Sequence, residues 1–218
     1  MTFNSPDSLR NDLYNFPESY KKIKFNKSQL NKLEESPLLN LSEKLCILQL
    51  LTNTRVAVET GFELFQCTKQ ENLKYKELPS EVVKKYESFL NELPFPYIKV
   101  ERMREFAPQT FKKLTLFVIC SNQITREYIA NYYQTFKDFE YGVLFGYPVS
   151  TILAYIKLIE RFEKPNWSHI KEYTAAMKFI GPGFYSRDHF EDEKLYYEKI
   201  WKMLQKISVK LTNQAEAL

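Results

Sequence analysis

A chain of 218 residues with 44% hydrophobic and 27% charged residues is long enough to bury a core and too apolar to stay disordered. Its formal net charge of +4 is interspersed along the whole length, with no basic segment, so nucleic acid is an unlikely partner. Three cysteines, Cys46, Cys67 and Cys120, lack any C-x-x-C spacing, which argues against a disulfide framework or a zinc centre and marks them as buried thiols. The stretch Met1 to Phe16 has no apolar core, and the longest apolar run, Leu114 to Cys120, is far short of the roughly 20 residues that span a bilayer. A soluble, cytoplasmic chain without membrane association is expected.

In chain order, residues 1–27 mix polar and aromatic groups without a period and are expected as an irregular arm docked by Leu13, Tyr14, Phe16 and Tyr20. One globular domain is expected over 28–218. A short helix is expected from Ser28 to Glu35 and another, capped by Ser42, through Leu51. Arg55 to Gly61 fits either a strand, from the alternation of Val56 and Val58, or a continuation of that helix. After a polar connection, Gln66 to Leu78, Ser80 caps a helix whose Val82, Tyr86, Phe89, Leu90 and Leu93 share a face.

Tyr97 to Met103 and Leu114 to Cys120 read as strands around a break at Ala107-Pro108, and Thr125 to Phe136 as a helix. Tyr141 to Phe145 is expected as a further strand running into a helix from Val149 to Phe162. Lys164-Pro165-Asn166 and Gly181-Pro182-Gly183 bracket a helix from Trp167 to Phe179. The last helix is expected from Asp188, with Glu191 completing the cap, to about Leu211. The class implied is α/β or α+β, helix-rich, with a small mixed sheet of three to five strands whose centre includes Leu114 to Cys120 and Tyr141 to Phe145.

Five glycines serve the whole chain, and two of them, Gly142 and Gly146, fall in one short phrase that ends in Tyr147-Pro148. If Pro148 opens the following helix, its free first-turn N–H groups and the hydroxyls of Ser150 and Thr151 face one region that suits a phosphate or carboxylate. The spacing matches neither the dinucleotide fingerprint nor the P-loop, so a purely architectural turn is the competing reading. Arg55 and Glu59 form a second candidate, an ion pair on one face of either a helix or a strand. The histidines, His169 and His189, have no ligand partners at metal spacing, and no metal site is expected. Asp188, Glu191, Asp192 and Glu193 are explained by the dipole of a helix start, and the aromatics of Lys194 to Lys206 by core packing.

The phrase Leu144-Phe145-Gly146-Tyr147-Pro148, followed by an amphipathic stretch, resembles the Leu/Phe-Gly-Tyr-Pro signature of small bacterial and archaeal protein families of unknown function. That resemblance implies an apolar strand before the motif and a helix after it, over Phe139 to Ile156, and no activity. Where some such families carry cysteines after the proline, Val149-Ser150 stands here, so no thiol or metal role transfers.

With no catalytic signature and abundant tyrosine, a non-catalytic binding or assembly protein is expected, with a protein partner or a second copy of the chain. The alternative is a small enzyme or sensor holding an anionic metabolite at the turn from Gly142 to Thr151. The sequence leaves any cofactor, and whether there is catalysis at all, undecided.

Overall fold

Asparagines open the first two helices of the described residues. In the computed structural model, which describes residues 23, 25–68, 80–107, 110–162, 174–181 and 183–218, Asn26 caps α1 (Lys27–Glu35) and Asn40 caps α2 (Leu41–Gln49), each with a reciprocal bond from the third helical residue. Asn40 Oδ1 accepts the Glu43 N–H at 2.9 Å and Glu43 accepts the Asn40 N–H at 2.8 Å. The cap is therefore Asn40 rather than Ser42, because this paired geometry satisfies an otherwise orphaned donor at each end. Ser42 instead donates to the Phe179 carbonyl at 2.6 Å.

The ambiguous segment after α2 resolves as β1 (Ala57–Thr68). It is followed by α3 (Ser80–Glu92), β2 (Tyr97–Ala107), β3 (Thr110–Cys120) and α4 (Gln123–Tyr132), the last capped by Asn122 and continued by one 3₁₀ turn. The strands are ordered β1-β3-β2 and antiparallel at both pairings, so the class is helix-rich α+β and the sheet is antiparallel rather than mixed. Leu114 to Cys120 lies in the central strand, as expected.

Pairing of Val58 with Ile119 and of Ala57 with Cys120 sets the register of β1 and sends alternate residues to opposite faces. Val58, Phe117 and Ile119 join one core, with Leu45, Leu48, Tyr86 and the last helices. Ala57, Val100, Val118 and Cys120 join a second, with Ile129, Val143, Leu144 and Ile152. The sheet is thus a septum between two helical layers.

Tyr141 to Phe145 is not a strand. It belongs to α5 (Asp138–Leu144), followed by α6 (Val149–Tyr155), α7 (Ala175–Ile180), α8 (Phe190–Ile207) and α9 (Val209–Glu216). A short apolar run carries no period that separates a strand from a buried helical turn. Here Phe145 N–H bonds the Tyr141 carbonyl at 2.9 Å, and Gly142, on the same helix, lets Ile152 of α6 approach so closely that a Cβ would lie 2.5 Å from its Cγ1.

Other boundaries shift too. Helix α6 stops at Tyr155, not Phe162, because Lys157 turns to φ +64° and the Leu158 N–H reaches back to the Leu153 carbonyl. Helix α8 begins at Phe190 rather than Asp188, with no side-chain cap from His189. It ends at Ile207 rather than Leu211, since Ser208 leaves helical geometry, caps α9 through Leu211 N–H at 3.2 Å and donates to Glu34 at 2.6 Å. The arm 1–22, most of the connection after Thr68, Pro108, the Lys164-Pro165-Asn166 break, Trp167, His169 and Pro182 lie outside the described residues.

Candidate functional site

The turn between α5 and α6 is a helix stop. Gly146 takes φ +74°, its N–H bonds the Val143 carbonyl at 3.1 Å, and the Tyr147 N–H bonds the Gly142 carbonyl at 2.9 Å. These paired bonds form a Schellman closure with glycine in its left-handed position. Pro148 is the N-cap of α6, not its first helical residue. The backbone at Gly146 is packed: a Cβ there would lie 2.1 Å from the Thr54 carbonyl oxygen, and its own carbonyl accepts the Tyr196 hydroxyl at 2.8 Å.

A carboxylate does sit at the start of α6, and it belongs to the protein. Glu193 of α8 is buried; its Oε1 accepts the Ser150 hydroxyl at 2.5 Å and its Oε2 the Ser186 N–H at 3.1 Å. Burial pushes its pKa up, against the lowering effect of those two donors, of the nearby Thr151 hydroxyl and of His189. The Thr151 hydroxyl, although close to that carboxylate, has no hydrogen-bond partner of normal geometry, and the residue is only 2% exposed.

Arg55 and Glu59 do not pair. Arg55, 5% exposed, precedes β1 behind Tyr147, with its guanidinium 5.4 Å from the centre of that ring and Nη2 3.5 Å from the Ile180 carbonyl. Its Nε has no partner. Burial works against its charge, while Cys46, Tyr147, Tyr197 and Tyr196 favour it in their ionised forms, and its pKa stands above the ordinary value. Glu59 points to the opposite, exposed end of the site, where its Oε2 accepts the Tyr133 hydroxyl at 2.7 Å. Arg55 precedes the strand and is buried, whereas Glu59 lies within it and is exposed.

Four of the expected site residues do converge. Glu59, Gly142, Tyr147 and Thr151 line one cavity of about 360 Å³ between the sheet, α5, α6 and the segment at Gly183-Phe184. Gly146, Pro148, Ser150 and Arg55 are not part of its wall. The wall also holds residues that sequence reasoning passed over: Arg102, Asp138, Tyr141, Phe145, Tyr155 and Phe184. Arg102 lies on the same sheet face as Glu59, by the even-numbered alternation of β2 against β3, and its guanidinium sits 5.8 Å from the Tyr141 ring centre.

A larger concavity of about 870 Å³ follows the edge strand β2, with Lys99, Glu101, Gln123 and Arg126 along it. Thr151 borders the smaller one, with its hydroxyl turned inward toward Glu193.

Burial pushes the Cys120 thiol up to about 12. Among the described residues no three His, Cys, Asp or Glu side chains are grouped to hold a metal ion, and no helix is long and apolar enough to cross a membrane. Compared with protein-family models, with curated proteins and with solved structures, the chain matches none.

Proposed function

We propose that this chain is a non-catalytic binding protein whose ligand occupies the cavity between the sheet and α5–α6. The observation that carries this reading is the cavity itself, walled by the rings of Tyr141, Phe145, Tyr147, Tyr155 and Phe184 with Glu59, Arg102 and Asp138 among them. The volume, about 360 Å³, falls within the range of small-molecule sites, and rings with a few polar groups are the usual lining of such sites.

The rival reading, an anionic metabolite at the start of α6, loses ground because Glu193 already supplies a carboxylate to Ser150. Glu59 is bonded to a phenol whose own pKa burial raises further, so that pair is suited to holding a shape rather than to moving a proton.

Gly183 offers a clean test. It borders the cavity, and a Cβ built on it meets nothing within 4 Å. Gly183→Phe places a ring at the rim of the cavity with no clash at its Cβ, and should obstruct entry while leaving the fold intact. In a thermal-shift panel of small neutral and charged aromatic compounds, those that stabilise the wild type should not stabilise this variant. Equal stabilisation of both proteins would place the ligand elsewhere and overturn the reading.

A further inference from the structure

The two outer strands of the sheet are closed to different degrees. On β1 the Glu43 carboxylate of α2 accepts the Gly61 N–H. On β2 the side that each residue presents is fixed by the Cys120 N–H of β3, which donates to the Pro96 carbonyl at 2.8 Å. Main-chain groups alternate sides along a strand, so Ile98 and Val100 turn theirs to β3, like Pro96, while Tyr97, Lys99 and Glu101 turn theirs outward. Arg126 Nε lies 3.4 Å from the Tyr97 carbonyl, on the outer side, as this parity requires. The Lys99 N–H and carbonyl have no partner among the described residues. They face the groove of about 870 Å³ between the end of α3 and α4. Open main-chain groups along an outer strand are a template for a further strand.

The order of charges along this edge points to the strand that fits it. When β2 pairs antiparallel with β2 of a second copy about Val100, Lys99 of each copy stands opposite Glu101 of the other and exchanges main-chain bonds with it. Moving the register by two residues sets lysine against lysine in one direction and glutamate against glutamate in the other. The charges therefore select the register about Val100. Lys99 already lies 3.4 Å from Glu87, but an ammonium has three donors and can serve both carboxylates. Helix α4 packs over both β2 and β3. Two β2 strands about 4.8 Å apart would thus bring the two α4 helices to roughly 10 Å, an ordinary contact distance. The side of α4 that lines the groove carries Gln123, Arg126 and the small Ala130, at helical spacing. Independently of the ligand cavity, we propose that this chain forms a two-fold dimer through β2, with one continuous antiparallel sheet running across both copies.

Sedimentation velocity of the full chain over a concentration series tests this, and should show a monomer–dimer equilibrium. Lys99→Glu and Glu101→Lys, both at exposed positions, each set like charges opposite one another twice. Each should weaken the dimer about tenfold. An equimolar mixture of the two variants restores opposite charges at both pairs and should dimerise as well as the wild type. Lys99→Pro removes an N–H that the ladder to β3 does not use, and should give a monomer whose circular dichroism matches that of the wild type.

A wild type that stays monomeric at every concentration would overturn the proposal and leave the groove to a segment of another protein. A dimer indifferent to Lys99→Pro would place the interface elsewhere and overturn it as well. So would a mixture of the two charge reversals that associates no more strongly than either variant alone.

Discussion

The Ser150 hydroxyl donates to Glu193 Oε1 at 2.5 Å, so the start of α6 is bound to the first turn of α8 by a carboxylate from within the chain. The same carboxylate accepts the Ser186 N–H, which fixes the segment leading into α8. Of the acidic residues at that helix start, Glu191 and Asp192 are exposed and answer to the helix dipole, whereas Glu193 turns inward. One buried group thus positions both α6, which carries Thr151, and the segment that carries Phe184, two sides of the cavity.

Its titration should be visible in stability. Because burial raises the folded pKa of Glu193 above its ordinary 4.5, the folded chain keeps this proton to higher pH than the unfolded chain does. The stabilisation from that proton is complete below the unfolded value and is lost as pH rises through the folded one. Glu193→Gln is neutral throughout, so the variant should gain on the wild type as pH is raised from about 4 to 8. Melting temperatures of the two proteins across this range measure it; a constant difference would mean that Glu193 titrates normally.

Gly146 is constrained twice, by φ +74° and by the Thr54 carbonyl 2.1 Å from where a Cβ would lie. Gly146→Ala should cost about 2–4 kcal/mol from the left-handed backbone and the overpacking together. Gly142→Ala, at a helical residue whose added Cβ would press on Cγ1, Cδ1 and Cγ2 of buried Ile152 without any left-handed backbone, should cost less, about 1–3 kcal/mol. Urea unfolding ranks the pair, and the reverse order would show that the turn yields more readily than the contact between α5 and α6.

How legible this was in the sequence varies by element. Leu114 to Cys120 is apolar on both alternations, and it became the central strand with a core on each side. The phrase from Tyr141 to Pro148 reads as strand, turn and helix because its apolar run is short. The deciding signal was nonetheless present: a glycine followed two residues later by a proline is also how a helix ends. What no local pattern carried was the cavity. Glu59, Asp138 and Phe184 are brought together by the packing of α5 and α6 on the sheet, contacts between residues far apart in the chain. Glu193 was hidden differently, since a sufficient local reason for an acidic residue at a helix start masked its inward orientation.

Removal of the Tyr133 hydroxyl should disturb the cavity floor with little cost to the fold. Its bond to Glu59 is charge-assisted, but Glu59 is exposed and can turn to water. Tyr133→Phe should therefore lower stability by only about 1 kcal/mol, at the low end for a bond to a charged acceptor. The ring contacts to Phe136 and Tyr141 remain in the variant. A loss above about 3 kcal/mol would mean that Glu59 is held as a buried acceptor rather than a solvated one.

Arg55 presents the opposite balance, a buried cation whose interactions do not match its isolation. The Tyr147 ring, its hydroxyl and a carbonyl at 3.5 Å return part of the cost of burial, about 2–3 kcal/mol. Taking a charge out of water without a paired carboxylate costs several kcal/mol, and replacing buried charges by apolar groups of similar volume is often neutral or stabilising by about 1–4 kcal/mol. Arg55→Met should accordingly match or exceed the wild type in urea unfolding. Arg55→Ala should lose about 2–5 kcal/mol, because it opens a cavity among Tyr147, Tyr196 and Tyr197. The contrast separates volume from charge. If methionine is as damaging as alanine, the guanidinium itself orders the turn, and Tyr147 would owe its place in the cavity wall to the cation behind it.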